Sequence, residues 1–180
     1  MDSREILYLS RRDVETVALD MRTIISLLET VFRLKGEGKV EMPPKPGIHT
    51  QPDAFIHAML AYIPALESAG VKWVSGYPAN QQRGLPYISG LLILNDTETG
   101  LPYAVMDATW ITAYRTGAAT ALSAKYLARP DSRVVGILAC GVQGRTNLLA
   151  LASLFPIQRV YAYDVVPEAQ QRYVQEMAAR

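Results

Sequence analysis

The stretch VVGILACGVQGRTNLLAL, residues 134–151, decides the fold. Its apolar β-branched run, its short loop with two glycines and its long apolar tail predict a strand, a tight turn and a helix, the unit that cradles the pyrophosphate of a dinucleotide. Downstream, a second apolar run at residues 159–164 and a helical pattern opening near Pro167 extend the alternation to β-α-β-α. That order requires a parallel sheet with right-handed crossovers.

The loop departs from the usual G-x-G-x-x-G in one place. Its frame is Ala139-Cys140-Gly141-Val142-Gln143-Gly144. The middle position matters most, because only a residue without a side chain lets the amides of the helix N-terminus, here those of Gly141, Val142 and Gln143, close on a pyrophosphate. Gly144 is placed where the helix presses on the strand and a Cβ would hold them apart. Ala139 stands where the first glycine is expected, and a left-handed backbone there would cost about 1–2 kcal/mol. The alternative is an ordinary strand-to-helix turn that happens to hold two glycines.

Asp164, at the end of the second strand, bears on the choice. An acidic residue about 20 positions beyond the loop accepts from both ribose hydroxyls of NAD and repels a 2′-phosphate, so NAD is expected over NADP unless the nearby Arg159 reaches round. A simpler role for Asp164 is to cap the following helix. Cys140 is expected to be a small filler rather than a nucleophile, since no histidine accompanies it in the loop.

Upstream the pattern changes. Ser10 and Asp13 are spaced like a capping box, and Met21, Ile24, Ile25, Leu28, Val31 and Phe32 recur at helical spacing until Gly36 and Gly38. The prolines at 43, 44, 46 and 52 predict an extended loop around Lys45. Residues 54–63, 71–77, 87–94 and 102–106 read as strands, with a hairpin turn at residues 95–100, and residues 109–128 as one long helix ended before Pro130. The expectation is a mixed α/β chain: an α+β module over residues 1–112 with a largely antiparallel sheet, then a linking helix and the first β-α-β-α of a Rossmann-type sheet over residues 113–180.

Composition bounds the partners. The 180 residues are 49% hydrophobic with net charge +1, which points to a globular chain and gives no reason to expect nucleic acid or a membrane surface. The N-terminus lacks the basic start and apolar core of a secretory signal, the single cysteine excludes a disulfide within the chain, and a cytoplasmic setting is expected. His49 and His57 have no carboxylate or cysteine cluster beside them, so no metal site is expected.

Several segments together resemble the ornithine cyclodeaminase and mu-crystallin family, which includes an archaeal type of alanine dehydrogenase. They are Gly70-Val71-Lys72-Trp73-Val74 with Pro78-Ala79-Asn80, the turn from Asp96 to Pro102, Thr112-Ala113-Tyr114-Arg115-Thr116-Gly117-Ala118-Ala119, and the Gly-Val-Gln-Gly loop. The resemblance runs from about residue 5 to the end. It implies a substrate-binding and dimerising N-terminal module, with Lys72 and Arg115 on the substrate carboxylate, Lys45 near a third basic position, and Asn80 and Thr116 lining the cofactor and substrate cleft. Arginine suits that task, since its planar fork fixes a carboxylate in a way lysine does not. Independently of the family, Lys72 could be a solvated edge-strand residue, whereas Arg115 in an apolar helix would be costly if left unpaired.

The function so implied is NAD-dependent chemistry on a small α-amino or imino acid by a homodimer, in the cyclodeaminase version ornithine to proline plus ammonia. Alanine dehydrogenase or ketimine reductase activity is the alternative among enzymes. A mu-crystallin-like NAD(P)H-binding protein, or an inactive fragment, is the alternative outside them. The family's catalytic aspartate falls beyond residue 180, so the catalytic residue is unassigned and the chain is expected to be truncated within the dinucleotide domain.

Overall fold

The computed structural model describes residues 5–17 and 19–179; the first four residues, part of the N-terminal segment discussed for a secretory signal, lie outside them. The chain is a mixed α/β protein that divides into two compact units, residues 1–18 with 31–110 and residues 19–30 with 111–180.

The first unit is built on a six-stranded sheet. Its strands are β1 (Leu7–Leu9), β2 (Gly47–Ile48), β3 (Phe55–Ile63), β4 (Ser68–Gly76), β5 (Ile88–Asn95) and β6 (Pro102–Asp107), in the order β1-β6-β5-β4-β3-β2. β3 and β4 pair antiparallel along their whole length, from Phe55 opposite Gly76 to Ile63 opposite Ser68. The hairpin between β5 and β6 forms as its residues demand: Asp96 Oδ1 accepts the N–H groups of Glu98 and Thr99, and Gly100 takes a φ of 75° that other residues resist.

The sheet differs from the expectation in three ways. β1 joins β6 in parallel, with Leu7 opposite Ala104; three residues are too short for a readable period. Inside the proline-rich segment Gly47 and Ile48 pair with β3, because these two residues retain the N–H groups that the prolines lack. β4 starts at Ser68, earlier than predicted, since Ser68, Ala69 and Gly70 carry little strand preference of their own.

Helix α1 (Arg11–Val17) opens on the predicted capping box: the Ser10 N–H donates to Asp13 Oδ2 at 2.8 Å and the Asp13 N–H donates to Ser10 Oγ at 3.3 Å. Helix α2 (Met21–Gly36) is capped in turn by Asp20, which accepts the Thr23 N–H. Among the described residues no helix is long and apolar enough to cross a membrane.

The second unit holds most of α3 (Thr109–Leu127), then β7 (Val134–Leu138), α4 (Val142–Leu154), β8 (Arg159–Tyr163) and α5 (Pro167–Ala178). β7 and β8 pair in parallel in unbroken register from Val134 opposite Arg159 to Leu138 opposite Tyr163. Their core is Ile137, Cys140, Leu148 and Tyr173, with Val135, Ile157, Ala162 and Met177 packed against it. α3 approaches α4 at Gly117, where a Cβ would lie 2.5 Å from the Thr146 carbonyl oxygen. A residue with any side chain would force the two helices apart.

Candidate dinucleotide site

The loop after β7 turns as sharply as the sequence requires. Ala139 has φ +73°, so the methyl group stands in the left-handed region where the first glycine is expected and carries its strain there. Bonds on either side hold it: the Ala139 N–H donates to the Tyr163 carbonyl at 2.9 Å, and the Cys140 N–H donates to Asp164 Oδ2 at 2.7 Å. Gly144 has the packing role predicted for it, since a Cβ there would meet the Ala139 carbonyl oxygen at 2.4 Å. Gly141 is different in kind. A Cβ on it would meet nothing within 4 Å, so the fold leaves open space over this residue.

Helix α4 begins with Gly141 as N-cap, and no side chain caps it. Among the described residues the N–H groups of Gly141, Val142 and Gln143 have no acceptor, and all three residues are exposed. Uncapped amides at the positive end of a 13-residue helix, with no side chain over the open space, make an anion site. This cradle fits a pyrophosphate.

Asp164 holds backbone on both of its sides. Its Oδ1 accepts the N–H of Val166, the N-cap residue of α5, at 2.9 Å, while Oδ2 holds the loop through Cys140. Those two backbone bonds keep its pKa below the usual carboxylate value. Cys140 is 1% exposed within the core, and burial pushes its thiol pKa up, as a filler requires.

Arg115 corrects the sequence reading in its setting. It lies on an exposed part of α3 rather than inside an apolar face, yet desolvation by nearby protein atoms lowers its pKa. Among the described residues its side chain has no hydrogen-bond or ion-pair partner. A partly desolvated arginine without an acidic partner favours an anionic ligand. Its neighbour Thr116 donates its hydroxyl to the Thr112 carbonyl at 2.8 Å, within the helix.

In the first unit, Lys72 is corrected more sharply. It sits on β4, between β3 and β5, and is 8% exposed, so it is neither an edge residue nor a solvated one. Its cross-strand neighbours are Met59 and Leu92. Lys45 is exposed, and its charge, after desolvation, contributes to a lowered pKa of His57, which stacks on Phe55 with ring centroids 4.4 Å apart. Asn80 braces the turn that follows it: its Nδ2 donates to the Pro86 carbonyl at 3.1 Å, and its own carbonyl accepts the Leu85 N–H.

The structure thus brings Gly141, Val142, Gln143, Gly144 and Asp164 together, and it joins α3, with Arg115 and Thr116, to α4 through Gly117. Two residues of this arrangement were not singled out from sequence. Arg145 donates to the carbonyls of Cys140 and Gly141, and Tyr173 donates its hydroxyl to the Gly144 carbonyl at 3.2 Å. The spacing of Arg145, four and five residues beyond those carbonyls on the helix's first turns, was the signal available.

Several solved proteins share this fold. An archaeal alanine dehydrogenase dimer with bound NAD superimposes with a TM-score of 0.91 at 42% identity, covering 97% of this chain and 53% of that one. The Thermococcus litoralis Δ1-pyrroline-2-carboxylate reductase, in complex with NADH and L-proline, gives 0.93 at 39% identity, with 97% and 54% covered. A lysine cyclodeaminase that recognises L-lysine, L-ornithine and L-2,4-diaminobutyric acid gives 0.88 at 34% identity, with 97% and 54% covered. The chain spans about half the length of the curated relatives it matches, 51% and 52% of two of them. The model of the ornithine cyclodeaminase/mu-crystallin family matches residues 4–179, and the chain belongs to that family.

Proposed function

We propose that the protein carries out NAD-dependent hydride transfer at the α-carbon of a small α-amino or imino acid. The observation that carries this reading is the uncapped N-terminus of α4 under open space at Gly141, in one unit with the unpartnered Arg115. The amides of Gly141, Val142 and Gln143 would hold the pyrophosphate, and Asp164 the adenosine ribose; its negative charge favours NAD over NADP. NAD bound there supplies the hydride acceptor. Arg115 would bind the substrate carboxylate, the role the family resemblance also gives to Lys72 and Lys45.

Among finer readings, alanine dehydrogenase or imino-acid reductase chemistry is supported by the 42% and 39% identities to enzymes of those kinds. Ornithine cyclodeamination is supported by the match to a cyclodeaminase that recognises ornithine. One assay separates them: the protein is incubated with NAD and L-alanine, L-proline or L-ornithine, while ammonia and reduced nicotinamide are followed together. Net NADH marks a dehydrogenase. Ammonia and proline from ornithine without net NADH mark a cyclodeaminase. Neither signal with any of the amino acids overturns the enzymatic reading, and an Arg115→Ala variant with unchanged kcat/KM removes Arg115 from the substrate carboxylate.

We also propose a homodimer, formed on the sheet face that carries Leu60, Trp73 and Leu91. These residues are 45–48% exposed, and the archaeal alanine dehydrogenase is described as a dimer. Trp73→Glu is expected to give a monomer in sedimentation equilibrium; a wild-type chain that sediments as a monomer would refute the assignment.

A further inference from the structure

We propose that Arg145 is a positioning residue that aims the dinucleotide loop without touching the dinucleotide. The inference rests on the dinucleotide reading of the proposed function and concerns how this chain keeps the loop in shape without a glycine at residue 139. Arg145 Nη1 donates to both the Cys140 carbonyl and the Gly141 carbonyl, the latter at 3.2 Å. In a trans peptide the C=O and the following N–H point in opposite directions. Drawing these two carbonyls to one guanidinium therefore turns the N–H groups of Gly141 and Val142 away from Arg145. Those are two of the three exposed amides that lack an acceptor.

Arg145 is itself held firmly. Its Nε donates to Glu176 Oε2 at 2.6 Å, its guanidinium lies 5.4 Å from the centre of the Tyr173 ring, and its side chain is 26% exposed. Tyr173 is 1% exposed and donates to the Gly144 carbonyl at the other end of the loop. Helix α5 thus grips the loop through one residue directly and through another by way of Arg145. Opposite this grip, Asp164 holds the Cys140 N–H. A cation on two carbonyls and an anion on one amide fix consecutive peptide planes beside Ala139, whose left-handed φ needs outside support.

The test compares Arg145→Met and Arg145→Lys with wild type by two-dimensional amide NMR spectra and by titration with NADH and with adenosine. In Arg145→Met the amide resonances of Gly141 and Val142 should move while those of residues in the first unit's sheet, such as Val74, stay. NADH affinity should fall by about tenfold, and that of adenosine, which has no phosphate, should be unchanged. Arg145→Lys should lose roughly threefold, since one ammonium does not reproduce a planar fork on two carbonyls. Unmoved Gly141 and Val142 amides, equal losses for NADH and adenosine, or unchanged NADH affinity would each overturn the proposal. If Arg145→Met fails to fold, Arg145→Lys decides by the same readouts. Wild-type protein that takes up no NADH overturns the dinucleotide reading and with it the purpose assigned to Arg145; wild type that binds NADH no better than a folded Arg145→Met overturns the clamp alone.

Discussion

Asp164 Oδ2 accepts the Cys140 N–H at 2.7 Å, so the residue that ends β8 is tied to the loop that ends β7. The carboxylate is thereby fixed in place by the loop that carries Gly141. Its other oxygen accepts the Val166 N–H, and both bonds are charge-assisted. One side chain sets the spacing between the cradle and the start of α5.

Asp164→Asn should therefore have two effects. NADH affinity should fall by about tenfold while the preference for NADH over NADPH narrows, because a neutral amide neither holds both ribose hydroxyls as well nor repels a 2′-phosphate. An amide also keeps only one acceptor oxygen for two backbone donors, so one of the two bonds is lost and the variant should be less stable. The pH dependence follows from the lowered pKa of Asp164. Its contribution is fully present above the unfolded value of 3.8 and is lost as the pH falls through its lower folded value, so acid unfolding of Asp164→Asn should begin at higher pH than in wild type and depend less steeply on pH below it. Parallel NADH and NADPH titrations with acid melts check both effects.

Two glycines of the same loop should respond in opposite ways. Gly144→Ala places a Cβ 2.4 Å from the Ala139 carbonyl oxygen and should cost about 1–3 kcal/mol of stability. Gly141→Ala places one in open space, so the melting temperature should hold while NADH binding weakens by tenfold or so. Equal stability losses in the two variants would contradict the assignment of Gly141 to a ligand.

Much of this was readable from residues alone, and the reasons differ by element. The β-α-β-α alternation, the loop and Asp164 were legible because turn geometry and phosphate approach restrict residue type at fixed positions. The hairpin at residues 95–100 was legible for the same reason. The parallel β1, the two-residue β2 and the early start of β4 were not, because their pairing is dictated by partners distant in sequence rather than by local preference. The burial of Lys72 was hidden for a related reason: a lysine in a five-residue apolar run looks the same on an edge strand and on a central one. Arg145 and Tyr173 escaped because a side chain that serves a carbonyl group leaves no motif.

Ala139→Gly tests whether the left-handed residue is strained. Glycine at φ +73° removes about 1–2 kcal/mol of backbone strain, and its greater freedom in the unfolded chain returns roughly 0.5–1 kcal/mol. A net gain of up to about 1.5 kcal/mol in urea unfolding is expected, with NADH affinity unchanged or improved.

Tyr173 should set an alkaline limit on the second unit. Burial is the main cause that raises its pKa from 10.0 to about 12, with Cys140 adding to the rise and the Arg145 charge opposing it. In the unfolded chain the phenol loses its proton near pH 10, whereas in the folded protein it keeps it to about 12. The unfolded state thus binds fewer protons between those values, so stability is full below pH 10 and falls as the pH rises through 12. Tyr173→Phe removes the titrating group and the bond to the Gly144 carbonyl together. Its stability near neutrality should be lower by about 1 kcal/mol, the net worth of one buried hydrogen bond, and its loss between pH 10 and 12 should be shallower than in wild type. Urea unfolding followed at several pH values across that range separates the two effects, since the first displaces the whole curve and the second changes its slope. An equally steep alkaline loss in Tyr173→Phe would place the responsible group elsewhere.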